Sequence, residues 1–112
     1  MATMNLTARK SDCDLQVLNA QMVQVAEFEG VIHLFEHDYA GFRFWHGVVD
    51  IADAAPAIAA FGAGEHQDIK IRVILPDGQA GLAKLFFFRT DQRPPIDQNI
   101  LGVVGITQLR ME

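Results

Sequence analysis

Apolar and polar residues alternate through much of this chain, most sharply around Leu75-Pro-Asp-Gly78. Proline presets the backbone for a turn, Asp77 tolerates the next position and Gly78 can take positive φ, which predicts a type I turn closed by a glycine bulge. With Leu75 opposite Gln79, the flanking strands place Val73 opposite Gly81, Ile71 opposite Ala83 and Ile69 opposite Leu85. That register makes one face wholly apolar. A two-residue turn would instead set Ile71 against Lys84, and a one-residue slip turns every side chain to the other face, so the hydrophobic pattern selects the first register.

A second hairpin is predicted from strands at 31–36 and 42–51 joined by His37-Asp-Tyr-Ala-Gly41. Phe42, Phe44 and Val48 share one parity and Trp45, Val49 and Ile51 the other, so this strand needs cover on both faces. The segment 100–109 behaves alike, with Val104 and Ile106 on one face and Leu101, Val103 and Leu109 on the other; Gly102 and Gly105 imply a bulge, a bend or close approach by a neighbour. Between the hairpins, the alanine-rich stretch 53–61 predicts one short helix. Asp53 would cap it, Pro56 falls in the first turn, Gly62 would end it, and Ile58 and Phe61 would face the sheet. The segment 15–29 fits both periods. Its β-branched valines and Gly30 before Val31 favour a strand ending in a turn, with an amino-terminal helix as the alternative. Arg93-Pro-Pro-Ile96 is a stiff connector.

These elements predict an α+β, β-rich fold: a strongly bent, mostly antiparallel sheet or partly closed barrel of five to six strands with one short helix. Phe86-Phe87-Phe88 would point to alternate faces, each worth roughly 1.5 to 3 kcal/mol when buried, so cover is required on both sides there. One short helix cannot supply it. A homodimer is the expected solution.

Composition narrows the class. The 112 residues are 50% hydrophobic, enough for one core but not for two domains. Residues 1–13 read as a flexible arm because no period would bury them, leaving 14–112 as a single domain. The single cysteine, Cys13, excludes an internal disulfide and fits a reducing, cytoplasmic setting. With 9 basic and 14 acidic side chains, the net charge of -5 gives no general attraction to nucleic acid or anionic lipid. No apolar run approaches the roughly 20 residues of a membrane span, and no secretory signal opens the chain.

Candidate chemistry is sparse. His33, Glu36, His37, Asp38 and His46 are the densest group of ionisable side chains. Along one strand His33 and His37 stand roughly 13 Å apart, too far to share an ion, and no zinc motif is present, so no metal site is predicted. His46 and Asp50 share parity and form the candidate acid-base pair. Lys70, Arg72 and Lys84 lie together in the predicted register, where like charges invite an anionic ligand or the chain's own acids. Phosphate-cradling loops and nucleophile motifs are absent, and no cofactor is expected. The function read from these residues is a non-catalytic small-molecule-binding or protein-interaction module working as a homo-oligomer. Its pocket would be lined by Phe44 and Trp45, edged by His33 or His46, and take a small apolar or anionic ligand. A small hydrolase or isomerase using His46 and Asp50, and a structural subunit of a larger assembly, are the alternatives.

Overall fold

A computed structural model describes residues 4–61, 69–93 and 96–111. Among the described residues, seven strands and one helix follow in the order β1 (Met4–Leu18), β2 (Gln24–Tyr39), β3 (Phe42–Asp50), α1 (Ala55–Phe61), β4 (Lys70–Ile74), β5 (Gln79–Arg93), β6 (Ile96–Gly105) and β7 (Arg110–Met111). Every pairing is antiparallel. The sheet runs β4-β1-β2-β3-β6-β5-β7, and a further β4–β5 pairing returns the chain of neighbours on itself as a ring of strands, with β7 attached to β5. The bent antiparallel sheet expected from alternation is therefore present. No helix among the described residues is long and apolar enough to cross a membrane.

The Pro-Asp-Gly hairpin takes the predicted register, with Ile71 opposite Ala83, Val73 opposite Gly81 and Lys70 opposite Lys84. Leu75 N–H donates to Gln79 O at 2.8 Å, Gln79 N–H donates to the Asp77 side chain, and Gly78 has φ of 95°. Side chains turned inward from this hairpin and its neighbours make the core: Leu15, Val17, Ile32, Leu34, Val49, Ile71, Val73 and Leu101 have no measurable exposure.

Several local expectations change. Residues 4–13, read as an arm, belong to β1 and pair with β2 from Val31 to Tyr39 and on to Gly30. Positions 5–10 are exposed, so the absence of a burying period was real, but backbone pairing alone carries the strand through them. Gly30 makes no turn. It lies within β2, where a Cβ would stand 2.6 Å from Val49 Cγ1 and 2.8 Å from Asp50 O, so its lack of a side chain admits β3. The turn falls instead at Asn19, whose Oδ1 accepts from Gln21 N and Val23 N at 3.0 Å each, while Met22 adopts φ of 61°. The second hairpin turns on Ala40 and Gly41 alone, both at positive φ, so 37–39 are strand rather than loop.

The helix is capped as expected, Asp53 Oδ1 accepting from Ala55 N at 3.0 Å. Its buried residues are Ala57 and Phe61; Ile58 is exposed, because positions four apart rather than three meet the sheet here. Gly62 and the two prolines of the connector lie outside the described residues. In the phenylalanine run, a bulge between Leu85 and Phe87 breaks strict alternation. Phe88 packs on Phe61 at 5.6 Å between centroids, Phe87 covers Gly102, and Phe86 is left 74% exposed.

Candidate functional site

The core-facing side of the sheet does not stay apolar along its whole length. Beyond Leu34 and Trp45 the inward positions become Thr7, Arg9, Glu36, Asp38 and Arg43, and these surround one mouth of the ring. Arg9 Nη2 donates to Glu36 Oε1 at 3.1 Å and to Gln79 Oε1 at 3.0 Å, which ties β1, β2 and β5 together across the opening. Arg43 Nε donates to Asp38 Oδ2 at 3.3 Å. Trp45, only 3% exposed, lies beneath them; its indole Nε1–H donates to Thr107 O at 2.6 Å and its ring fills the space that a Cβ on Gly105 would need.

A cavity of about 320 Å³ opens here. It is lined by Asn5, Thr7, Glu36, His37, Asp38, Arg43, Phe44, Trp45, Gln79, Gln108 and Leu109. Donors and acceptors thus converge beside Phe44, Trp45 and Leu109, the mixture of fixed polar groups and apolar wall that small-molecule sites share. Charge is balanced, since the two carboxylates and the two guanidinium groups pair with each other.

Phe44 and Trp45 both line this cavity, whereas His33 and His46 do not. The expected His46–Asp50 pair is not formed. Four residues along a strand separate their backbones by roughly 13 Å, and each side chain has another partner. Asp50 Oδ2 stands 3.2 Å from His33 Nε2, and His46 Nε2 stands 2.9 Å from His37 Nε2. The His37–His46 contact is made across two strands, so spacing along either strand does not disclose it. Pairing Tyr39 with Phe42 across a two-residue turn sets His37 opposite Phe44 and His46 opposite Phe35, and so makes the two histidines diagonal neighbours on the face turned away from the core. Four rings stack there, with Phe44 against His37 at 4.4 Å, His37 against His46 at 4.9 Å and His46 against Phe35 at 5.1 Å between centroids. Burial, followed by the nearby His37, holds the His46 pKa below its ordinary value of 6.5.

Lys70 and Lys84 are direct cross-strand partners, and Arg72 follows on β4 opposite Leu82 and Gln16. Arg72 and Arg110 border a separate groove of about 430 Å³. The cationic set therefore lies apart from the Trp45 cavity rather than sharing one site with it. Cys13, expected in a polar arm, is buried at 4% in the core, where burial and then Asp14 and Asp12 push its thiol up to about 12. No family model matches this chain, and neither a curated protein nor a solved structure is detectably similar to it.

Proposed function

We propose that this chain is a non-catalytic binding module whose ligand is a small polar molecule with one flat apolar side, seated in the mouth over Trp45. The cavity of about 320 Å³ carries this reading: donors and acceptors from β1, β2, β3 and β5 converge on it above a single indole. Its balanced charge favours a neutral or zwitterionic ligand over the simple anion suggested by the lysines, because an anion would have to displace Glu36 from Arg9 or Asp38 from Arg43. Both carboxylates at the mouth are held by arginine, and His46 and Asp50 face other partners, which supports binding rather than acid-base chemistry. A panel of small polar compounds screened by native mass spectrometry and Trp45 fluorescence tests the proposal. A one-to-one complex that Gln79→Leu weakens by about tenfold is expected from loss of a polar contact to the ligand. Absence of any complex across the panel, or one indifferent to Gln79→Leu and Thr7→Val, would refute it.

A second reading, self-association, has its own support. On the face turned away from the core, Leu6, Tyr39, Phe42 and Phe44 are 58%, 47%, 68% and 38% exposed and lie on three adjacent strands. An apolar row of this kind suits a second copy or another protein. Light scattering at micromolar concentration would give about twice the chain mass of 12.4 kDa if the row is a homodimer interface, and a Phe42→Ser, Phe44→Ser chain would return to monomer. A strict monomer in the parent chain would exclude this reading.

A further inference from the structure

We propose that His37 and His46 form a two-histidine binding site for a divalent transition-metal ion such as Zn²⁺ or Cu²⁺, an inference independent of the Trp45 cavity. The ring centres lie 4.9 Å apart and the Nε2 atoms 2.9 Å, so the two nitrogens lie between the ring centres and face each other. In the free protein this contact holds one shared proton: one ring donates Nε2–H and the other accepts it. Moving that proton to Nδ1 of the same ring, a tautomer change with no net charge, presents two lone pairs to a common point.

Zinc–imidazole bonds of about 2.0 to 2.1 Å in a tetrahedral arrangement separate two nitrogens by roughly 3.3 Å, so ligation asks the nitrogens to part by about 0.4 Å and the rings to turn within their planes until both lone pairs meet at the ion. Phe35 and Phe44 stack on the outer sides of the pair and fix the ring planes, while water fills the remaining coordination positions. Imidazole donors with no carboxylate favour Zn²⁺, Cu²⁺ or Ni²⁺ and exclude Mg²⁺ and Ca²⁺, which require oxygen.

The site is a weak and exchangeable one. Ligation through Nε2 leaves the single ring proton of His37 on Nδ1, a buried atom with no hydrogen-bond partner among the described residues. Metal-binding histidines ordinarily donate this proton, and losing that support costs about 10- to 100-fold in affinity.

Titration of the full chain with Zn²⁺, followed by the histidine ring signals in ¹H–¹⁵N NMR, tests the site. Expected is saturation at one equivalent, with the Nε2 resonances of His37 and His46 shifting together and those of His33 unmoved. His37→Gln and His46→Gln should each weaken Zn²⁺ binding at least about tenfold, His33→Gln should not, and Mg²⁺ should leave every spectrum unchanged. No saturable Zn²⁺ binding by the parent chain would overturn the proposal, as would binding that moves other histidines instead. The ring resonances of the parent chain identify the ligating nitrogens directly, so the test stands even if a variant fails to fold.

Discussion

The two halves of β1 differ in what holds them. From Asp14 to Leu18 the strand is paired on both edges, with β2 and with β4, and Leu15 and Val17 are wholly buried. Residues 5–10 pair with β2 alone, and both faces are exposed. The same secondary structure is thus secured by hydrophobic burial in one half and by a single hydrogen-bonded ladder, aided by the Arg9 bridge, in the other. The polar mouth is built from the less secured half. Binding groups commonly sit where core packing gives way, because inward positions there are released from filling space.

The contrast yields ranked expectations. Leu15→Ala should cost about 2 to 5 kcal/mol by opening a cavity in the doubly paired half, read as a shifted urea midpoint. Equal loss from Leu6→Ala, which removes a side chain left 58% exposed, would erase the distinction between the halves. Gly105→Ala comes next, at roughly 1 to 3 kcal/mol for overpacking, because its Cβ would meet the Trp45 indole at 2.4 Å. The Trp45 emission spectrum should move with it, since the indole must shift.

Proton linkage sets the third expectation. The Cys13 thiol is raised from 9.0 to about 12 in the folded chain, so above pH 9 the unfolded chain loses this proton first. Stability should therefore fall as pH rises from 9 towards 12, and Cys13→Ala should flatten that alkaline slope in denaturation series. Native Cys13 should also react slowly with thiol reagents until the chain is unfolded. His46 works at the other end: its folded value is depressed, so acidification from about 6.5 downwards protonates the unfolded chain first and destabilises the fold.

Arg9→Ala should be the mildest of these changes, about 0.2 to 1 kcal/mol, since its ion pair with Glu36 is 40% and 41% exposed. Its effect belongs in hydrogen exchange rather than in the midpoint. Amides of residues 5–10 should exchange faster than those of 14–18 in the parent chain and faster still in the variant.

How far the sequence discloses this molecule follows the same division. Where one face is buried, alternation specified the result down to register: the Leu75-Pro-Asp-Gly78 turn and the inward valines and isoleucines left a single choice, so Lys70 opposite Lys84 was legible. Where neither face is buried there was no alternation to read, and residues 5–10 looked like an arm although they are strand. Gly30 misled because glycine serves close approach as readily as turning, and only the position of Val49 distinguishes the two. Phe44 and Trp45 were legible as cavity residues, but the polar rim was not, since Thr7, Arg9, Gln79 and Gln108 come together only through ring closure. The histidine pair was within reach. The two-residue turn at Ala40-Gly41 determines it, but the sequence offers 37–41 as one loop, and a register that stops short of His37 does not bring the two rings together.

Mapping a bound small polar compound on the ¹⁵N-labelled chain examines the mouth most directly. Perturbations concentrated on the Trp45 indole N–H, Thr7, Gln79 and Gln108 are the predicted result. Saturable shifts confined to the groove of Arg72 and Arg110, with the Trp45 signal unmoved, would contradict it.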